Sequence, residues 1–116
     1  MEYKIINPVV IRQSMMNNDN MIKQFIELYI IQSPVDFENL KKAMSEKNHT
    51  IICAAAHHIK PTMEYIGASE LRINFQELER LANQKENMDK LDQKYDEIKP
   101  KFELLIQELK EYISKL

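Results

Sequence analysis

The chain has 116 residues, 44% hydrophobic and 29% charged, which is typical of a single globular domain spanning 1–116. Its net charge of −2 gives no electrostatic reason to expect nucleic acid or an anionic membrane as a partner. The longest apolar run, Ile51 to Ala56, is too short to cross a bilayer, and no signal-peptide pattern is present. The single cysteine, Cys53, cannot form an intrachain disulfide, so we expect a cytoplasmic protein.

Glycine content is the most informative feature of the composition, because the chain contains only one. Sheets and tight hairpins use glycine where the backbone needs a positive φ angle. The sequence is instead rich in Leu, Ile, Met, Glu, Lys and Gln, which favour helices. We therefore predict an all-α fold.

The first half of the chain shows three helical segments separated by polar or proline-containing breaks. Asn7 followed by Pro8 predicts a cap and a short helix over 8–16. A polar break over 17–20 follows, and Asp19 is expected to cap the next helix. Ser33 and Pro34 then predict the start of a further helix, with Asp36 at the capping-box position. The apolar positions expected to face the core are Ile22, Phe25, Ile26, Tyr29, Phe37, Leu40 and Met44.

The second half predicts three further helices. One covers 50–66 and ends at Gly67, where a helix C-terminus favours a left-handed residue. Ser69 is expected to cap the next helix. The last helix is expected over 88–116, with Pro100 kinking it or opening one turn. The inward positions are Ile52, Ala56, Ile59, Met63, Ile66, Leu71, Phe75, Leu78 and Ala82, then Met88, Leu91, Tyr95, Ile98, Phe102, Leu105, Leu109, Tyr112 and Leu116. The architecture we expect is an antiparallel four-helix bundle with a short additional N-terminal helix.

His57 is the candidate reactive residue. At about 100° per residue it points away from the apolar stripe of its helix, and Lys60 and Glu64 lie one and two turns further on. An uncharged imidazole is a good nucleophile near neutral pH, and a nearby ammonium would stabilise a phosphoryl group on it. Helical periodicity alone favours a simpler interpretation, in which His57, Lys60 and Glu64 are inert surface side chains.

The string Ala56-His57-His58-Ile59-Lys60-Pro61, followed by Ile66-Gly67, resembles the signature of histidine phosphotransfer (HPt) domains. That signature has a histidine, any residue, an aliphatic residue, a lysine, a glycine and a second glycine six residues later. His57, Ile59, Lys60 and Gly67 match in register, and Leu78-Glu79 matches a pair in the following helix. Pro61 departs from the pattern, because it stands where the family usually has glycine.

The resemblance implies a role for each matching residue. His57 would be the phosphoacceptor, Glu79, 22 residues later, would orient its ring, and Lys60 would stabilise the phosphoryl group. Pro61, Glu64 and His58 would lie on the face that docks a receiver domain. Because proline lacks an N–H and crowds the carbonyl of His57, we expect a kink or a missing backbone hydrogen bond there.

The resemblance further implies a phosphorelay intermediate between receiver-domain aspartates, fed by a hybrid histidine kinase and without ATP-dependent kinase activity of its own. We expect no cofactor, with Mg²⁺ on the receiver, and no nucleic-acid, membrane or metal partner. A monomer is expected, and the starting Met favours a free-standing protein. Two alternatives stay open: a metal or redox bundle using Cys53 and His57, and a non-catalytic module that binds receivers, which Pro61 favours.

Overall fold

A computed structural model of the protein describes residues 3–116, and within that range the regular secondary structure is entirely helical. The elements are α1 (Pro8–Ser14), α2 (Asp19–Ser45), α3 (His49–Tyr65), α4 (Ser69–Asn83) and α5 (Met88–Ser114). The helix ends outside Ser33–Pro34 lie within about two residues of the sequence-based expectation, the usual spread for helix termini. Within 3–116, no helix is both long and apolar enough to span a membrane.

Asparagine side chains cap four of these five helices. Asn7, Asn18, Asn48 and Asn87 each accept a hydrogen bond from a backbone N–H in the first turn of α1, α2, α3 and α5. Two sequence-based assignments are therefore wrong. The cap of α2 is Asn18 rather than Asp19, and α4 begins at Ser69 after Ala68, with no side-chain cap.

The predicted break at Ser33 and Pro34 is also wrong, because α2 continues through it as one helix of 27 residues. Pro34 removes one backbone donor, but it lies on an exposed side where water can satisfy the carbonyl left unpaired. Ser33 is buried within the helix rather than placed at a cap. Asp36 consequently occupies no capping box and faces α3 instead.

Each of the four longer helices packs against two of the other long helices. α3 contacts α2 and α4, α5 contacts α4 and α2, and α1 packs against α3. The apolar stripes meet in one core, whose largest fully buried members include Ile22, Ile26, Leu40, Ile52, Met63, Leu71, Phe75, Leu78, Leu91 and Ile98. Phe37 and Phe102 stack with ring centroids 4.3 Å apart and join α2 to α5. Pro100 does not interrupt α5.

A buried carboxylate attaches the N-terminal segment to the end of the helices. Glu108 on α5 accepts hydrogen bonds from the backbone N–H groups of Lys4, Ile5 and Ile6 at 2.8 to 3.0 Å. The next amide, that of Asn7, donates to the carbonyl of Ile66 at 3.0 Å, beside the turn between α3 and α4. The N-terminal segment therefore joins α5 to this turn.

Gly67 is required in that turn for two reasons. Its φ angle is +70°, and a Cβ atom there would lie 2.6 Å from the Cβ atom of Asn7. Replacing Gly67 with alanine should therefore lower the free energy of unfolding by at least about 1–2 kcal/mol, from the left-handed backbone alone. Urea denaturation measures the change.

The matched control is Ser69→Ala, two residues away, because the Ser69 side chain caps no helix. That variant should unfold within about 0.5 kcal/mol of the wild type. Equal stability of Gly67→Ala and wild type would contradict the tight contact between this turn and the N-terminal segment.

Candidate functional site

The turn at Gly67 sets the register between α3 and α4. His57 lies ten residues before Gly67 and Glu79 lies twelve residues after it. Because both helices rise about 1.5 Å per residue away from the turn, the two side chains reach similar heights. Leu78 and Ala82 are buried in the core, which places Glu79 at the edge of α4 that borders α3.

His57 is an exposed side chain with one ring nitrogen bound. Its side chain is 69% exposed, and Nδ1 lies 2.7 Å from Oε2 of Glu79. Nε2 forms no hydrogen bond within residues 3–116. The ring is therefore held at one nitrogen and open to solvent at the other.

Glu79 determines which nitrogen carries the proton. Partial burial is the largest single influence and by itself would raise the pKa of Glu79. The hydrogen bonds and charges of Lys60 and His57 outweigh it together, and the pKa lies below its ordinary value. An ionised carboxylate can only accept hydrogen bonds, so Nδ1 of His57 must be the donor. The neutral ring then leaves a free lone pair on Nε2.

Lys60 is bound to the same carboxylate. Its Nζ donates to Oε1 of Glu79 at 2.8 Å, and both side chains are about four-fifths buried, with 23% and 21% exposed. Glu79 therefore receives His57 on one oxygen and Lys60 on the other. The ammonium has three N–H groups, so two are available for another acceptor while this bond is intact.

His58 and Pro61 lie on the exposed surface of α3. His58 turns to the flank of α3 opposite Glu79, where Nε2 lies 3.5 Å from Oδ2 of Asp36 on α2. Pro61 is exposed, and α3 continues through it to Tyr65. Proline necessarily removes the backbone hydrogen bond to the carbonyl of His57, but it does not end the helix.

Glu64 lies farther along the same face, two turns after His57. Its side chain is 67% exposed, and Oε1 is 3.9 Å from Nε of Arg72 on α4. An exposed pair at this distance contributes little to stability. Glu64 and Arg72 therefore present charges on the surface next to the His57–Glu79–Lys60 cluster.

Cys53 and His49 do not join that cluster. Cys53 is half-buried and has a free thiol. His49 begins α3, and its Nε2 lies 2.6 Å from the carbonyl oxygen of Glu86, which follows α4. This contact joins the ends of α3 and α4 that are farthest from the turn at Gly67. Within the described chain, no group of three or more His, Cys, Asp or Glu side chains is arranged to hold a metal ion.

Sequence reasoning does not identify two neighbours of the site. The sequence predicts Asp36 at a helix start, and only the continuity of α2 places it beside His58. Arg72 carries a weak signal, because it lies one turn after the turn residue Ala68 on a helix already expected to border His57. Its distance from Glu64 nevertheless depends on the packing of α3 and α4.

Comparisons of the chain with family models, curated proteins and solved structures give no significant match.

Because His57 and Lys60 share the carboxylate of Glu79, we expect a lowered pKa of Glu79 and one defined tautomer of His57, and both can be measured. In the wild type, the pKa of Glu79 should lie below its ordinary value, and neutral His57 should carry its proton on Nδ1. Lys60→Met should move the pKa of Glu79 upward, because burial remains and one hydrogen bond with its charge is lost. Carboxyl ¹³C and imidazole ¹⁵N NMR titrations measure both properties.

Lys60→Arg is the matched control, since it keeps the positive charge and should hold the pKa of Glu79 low.

Because the folded-state pKa of Glu79 is lowered, its carboxylate stabilises the fold at pH values above about 4.3. That stabilisation should disappear as the pH falls through the folded-state pKa. A carboxyl titration identical in wild type and Lys60→Met would contradict the pairing.

Proposed function

We propose that this chain is a histidine phosphotransfer module that accepts a phosphoryl group on Nε2 of His57 and passes it to an aspartate. The observation that carries the proposal is the solvent-exposed ring whose Nδ1 is bound to an ionised carboxylate. This arrangement fixes the proton on one nitrogen and leaves the other as the nucleophile. The resemblance of the string from His57 to Gly67 to HPt domains supports the same function.

In the proposed step, the Nε2 lone pair of His57 attacks the phosphorus of an aspartyl phosphate in line with the leaving group. The new N–P bond forms while the P–O bond to the aspartate breaks, and that electron pair stays on the aspartate as a carboxylate. His57 retains its Nδ1 proton, so the phosphorylated ring carries positive charge. The Glu79 carboxylate stabilises this charge directly, which favours the acceptor reaction. Transfer to a second aspartate is the reverse step.

In the proposed mechanism, the ammonium of Lys60 interacts with Glu79 before transfer and with the phosphoryl group on His57 after transfer. In the resting site its ammonium offsets the negative charge of Glu79, 2.8 Å away. A phosphoryl group on Nε2 would bring two or nearly two negative charges close to the same ammonium. The free N–H groups of Lys60 could then donate to phosphoryl oxygens, and charge-assisted bonds of this type are among the stronger ones in proteins.

The proposed partners are receiver domains, which would supply the aspartate and Mg²⁺, with a hybrid histidine kinase as the source of phosphoryl groups. The chain would then need no nucleotide site and no kinase activity of its own, and it would work in the cytoplasm. The docking face we propose consists of His58, Pro61 and Glu64 around His57. In this proposal the helix pairings form an antiparallel four-helix bundle, with α1 as the short additional helix.

A non-catalytic receiver-binding module is the second candidate, and Pro61 is the observation that favours it. Proline in the place of glycine alters the surface beside His57, which an incoming acidic pocket would have to approach. A module of that kind would bind a receiver without acquiring phosphate, so a transfer assay separates the two functions.

His57→Gln should abolish phosphate acceptance, because it removes the nucleophilic nitrogen. The assay mixes the protein with a panel of phosphorylated receivers and follows labelled phosphate, which should be acid-labile and base-stable on the wild type. His58→Gln is the matched control, since it is the adjacent exposed histidine and should still accept phosphate. Phosphate acceptance by His57→Gln would assign the site elsewhere.

Charge reversal at Lys60 should slow transfer without preventing it. Lys60→Glu places a second carboxylate beside Glu79 and repels the incoming phosphoryl group, so we expect a loss in rate of about tenfold or more. Lys110→Glu makes the same charge reversal at an exposed residue of α5, outside the proposed docking face, and should transfer at the wild-type rate. A Lys60→Glu rate equal to that of the wild type would remove Lys60 from the mechanism.

A further inference from the structure

The outward side of α2 carries apolar residues where a surface helix normally carries polar ones. Leu28, Ile31 and Val35 are 69%, 71% and 52% exposed. Their spacings of three and four residues align them along one line of the helix. The buried positions Ile26 and Phe37 lie on the other side, against the core. An exposed apolar line of this kind is characteristic of a surface that binds a partner.

The line continues with the same spacing beyond its apolar centre. Towards the N-terminus it reaches Gln24 and Met21, and towards the C-terminus Glu38 and Lys42, all of them exposed. Alternating steps of three and four residues over this length form the seam of a two-helix coiled coil. We call this line, from Met21 to Lys42, the α2 seam. Pro34 lies beside the seam and lines the groove between α2 and α5, and Glu38 lies where the seam borders this groove.

We propose that a second copy of this chain packs against the α2 seam, antiparallel, across a two-fold axis at Ile31. A two-fold axis at this position places Ile31 against itself, because an isologous contact pairs each patch with its own copy. It also brings Leu28 to within one residue of Val35 of the second copy, an offset of about 1.5 Å along the helix, and the reverse contact follows from symmetry. The three most exposed apolar side chains of α2 would then cover one another.

The polar residues at the two ends of the seam complement one another in this register, which favours a second copy over another partner. In the same register, Gln24 faces Glu38 of the second copy and can donate a hydrogen bond to its carboxylate. Lys23 lies beside this pair and supplies a positive charge. Neither Lys23 nor Glu38 forms an ion pair within residues 3–116, so both are available. At the outer end, the aliphatic part of Lys42 can cover Met21.

The two surfaces of the molecule can be used at the same time. His57 is bound to α4 across one flank of α3, whereas the seam lies on the outward side of α2. A dimer formed through α2 therefore leaves His57 open and does not depend on phosphotransfer. The sequence analysis predicts a monomer. The oligomeric state in solution decides between that monomer and the proposed dimer.

Sedimentation velocity of the full chain, from micromolar to millimolar concentration, tests the proposal. The wild type should shift from the mass of one chain to that of two. Ile31→Glu should weaken association by about tenfold or more, because it places two like charges together on the axis. The matched control is Ile73→Glu, at an exposed isoleucine of α4, which should associate like the wild type. Circular dichroism checks that both variants remain folded.

A charge exchange tests the register. Lys23→Glu should weaken the dimer by placing two carboxylates together, and the double variant Lys23→Glu, Glu38→Lys should restore it. A wild type with the mass of one chain at every concentration would overturn the proposal. So would a dimer that Ile31→Glu leaves intact, or one that Ile73→Glu disrupts equally.

Discussion

The carboxylate of Glu79 is the group on which the proposed chemistry depends. It is four-fifths buried, yet it stays ionised because a ring nitrogen and an ammonium each donate to one of its oxygens. Its charge fixes the tautomer of an exposed imidazole without covering Nε2, the nitrogen proposed to react. A neutral group in its place could hold the ring in position, but it would not compensate the positive charge that phosphorylation places on the ring.

The fold positions this carboxylate through the hairpin of α3 and α4. The tight turn at Gly67 brings two helices together at a fixed register, and their buried stripes prevent rotation about the helix axes. Glu108 and the N-terminal segment then cover the turn, so a residue on α5 contributes to a register on which His57 depends. The register of the proposed site therefore depends on Gly67. Any other residue at this position would displace Asn7.

Much of this arrangement could be predicted from periodicity and spacing, and the exceptions have physical causes. The buried stripes of α3, α4 and α5 follow from their apolar spacing. The contact of His57 with Glu79 was implied by the resemblance to HPt domains, in which the orienting residue lies 22 positions after the histidine. The continuity of α2 could not be predicted, because Ser33 and Pro34 locally favour the start of a new helix. Burial of the apolar residues on both sides of Pro34 favours a single continuous helix instead. The partners of Glu108 are backbone amides of a segment without a helical pattern, and no side-chain signal identifies them.

Proline has the same consequence at three places in this molecule. Pro34, Pro61 and Pro100 each leave one carbonyl without its helical donor, those of Ile30, His57 and Asp96. All three prolines are exposed, so water can satisfy these carbonyls and each helix continues. At Pro61 the result is a short, rigid side chain one turn after His57 on the exposed surface of α3. Proline alters this surface but has no long side chain to cover the ring of His57, so it is compatible with the proposed approach of a receiver while it removes one local donor.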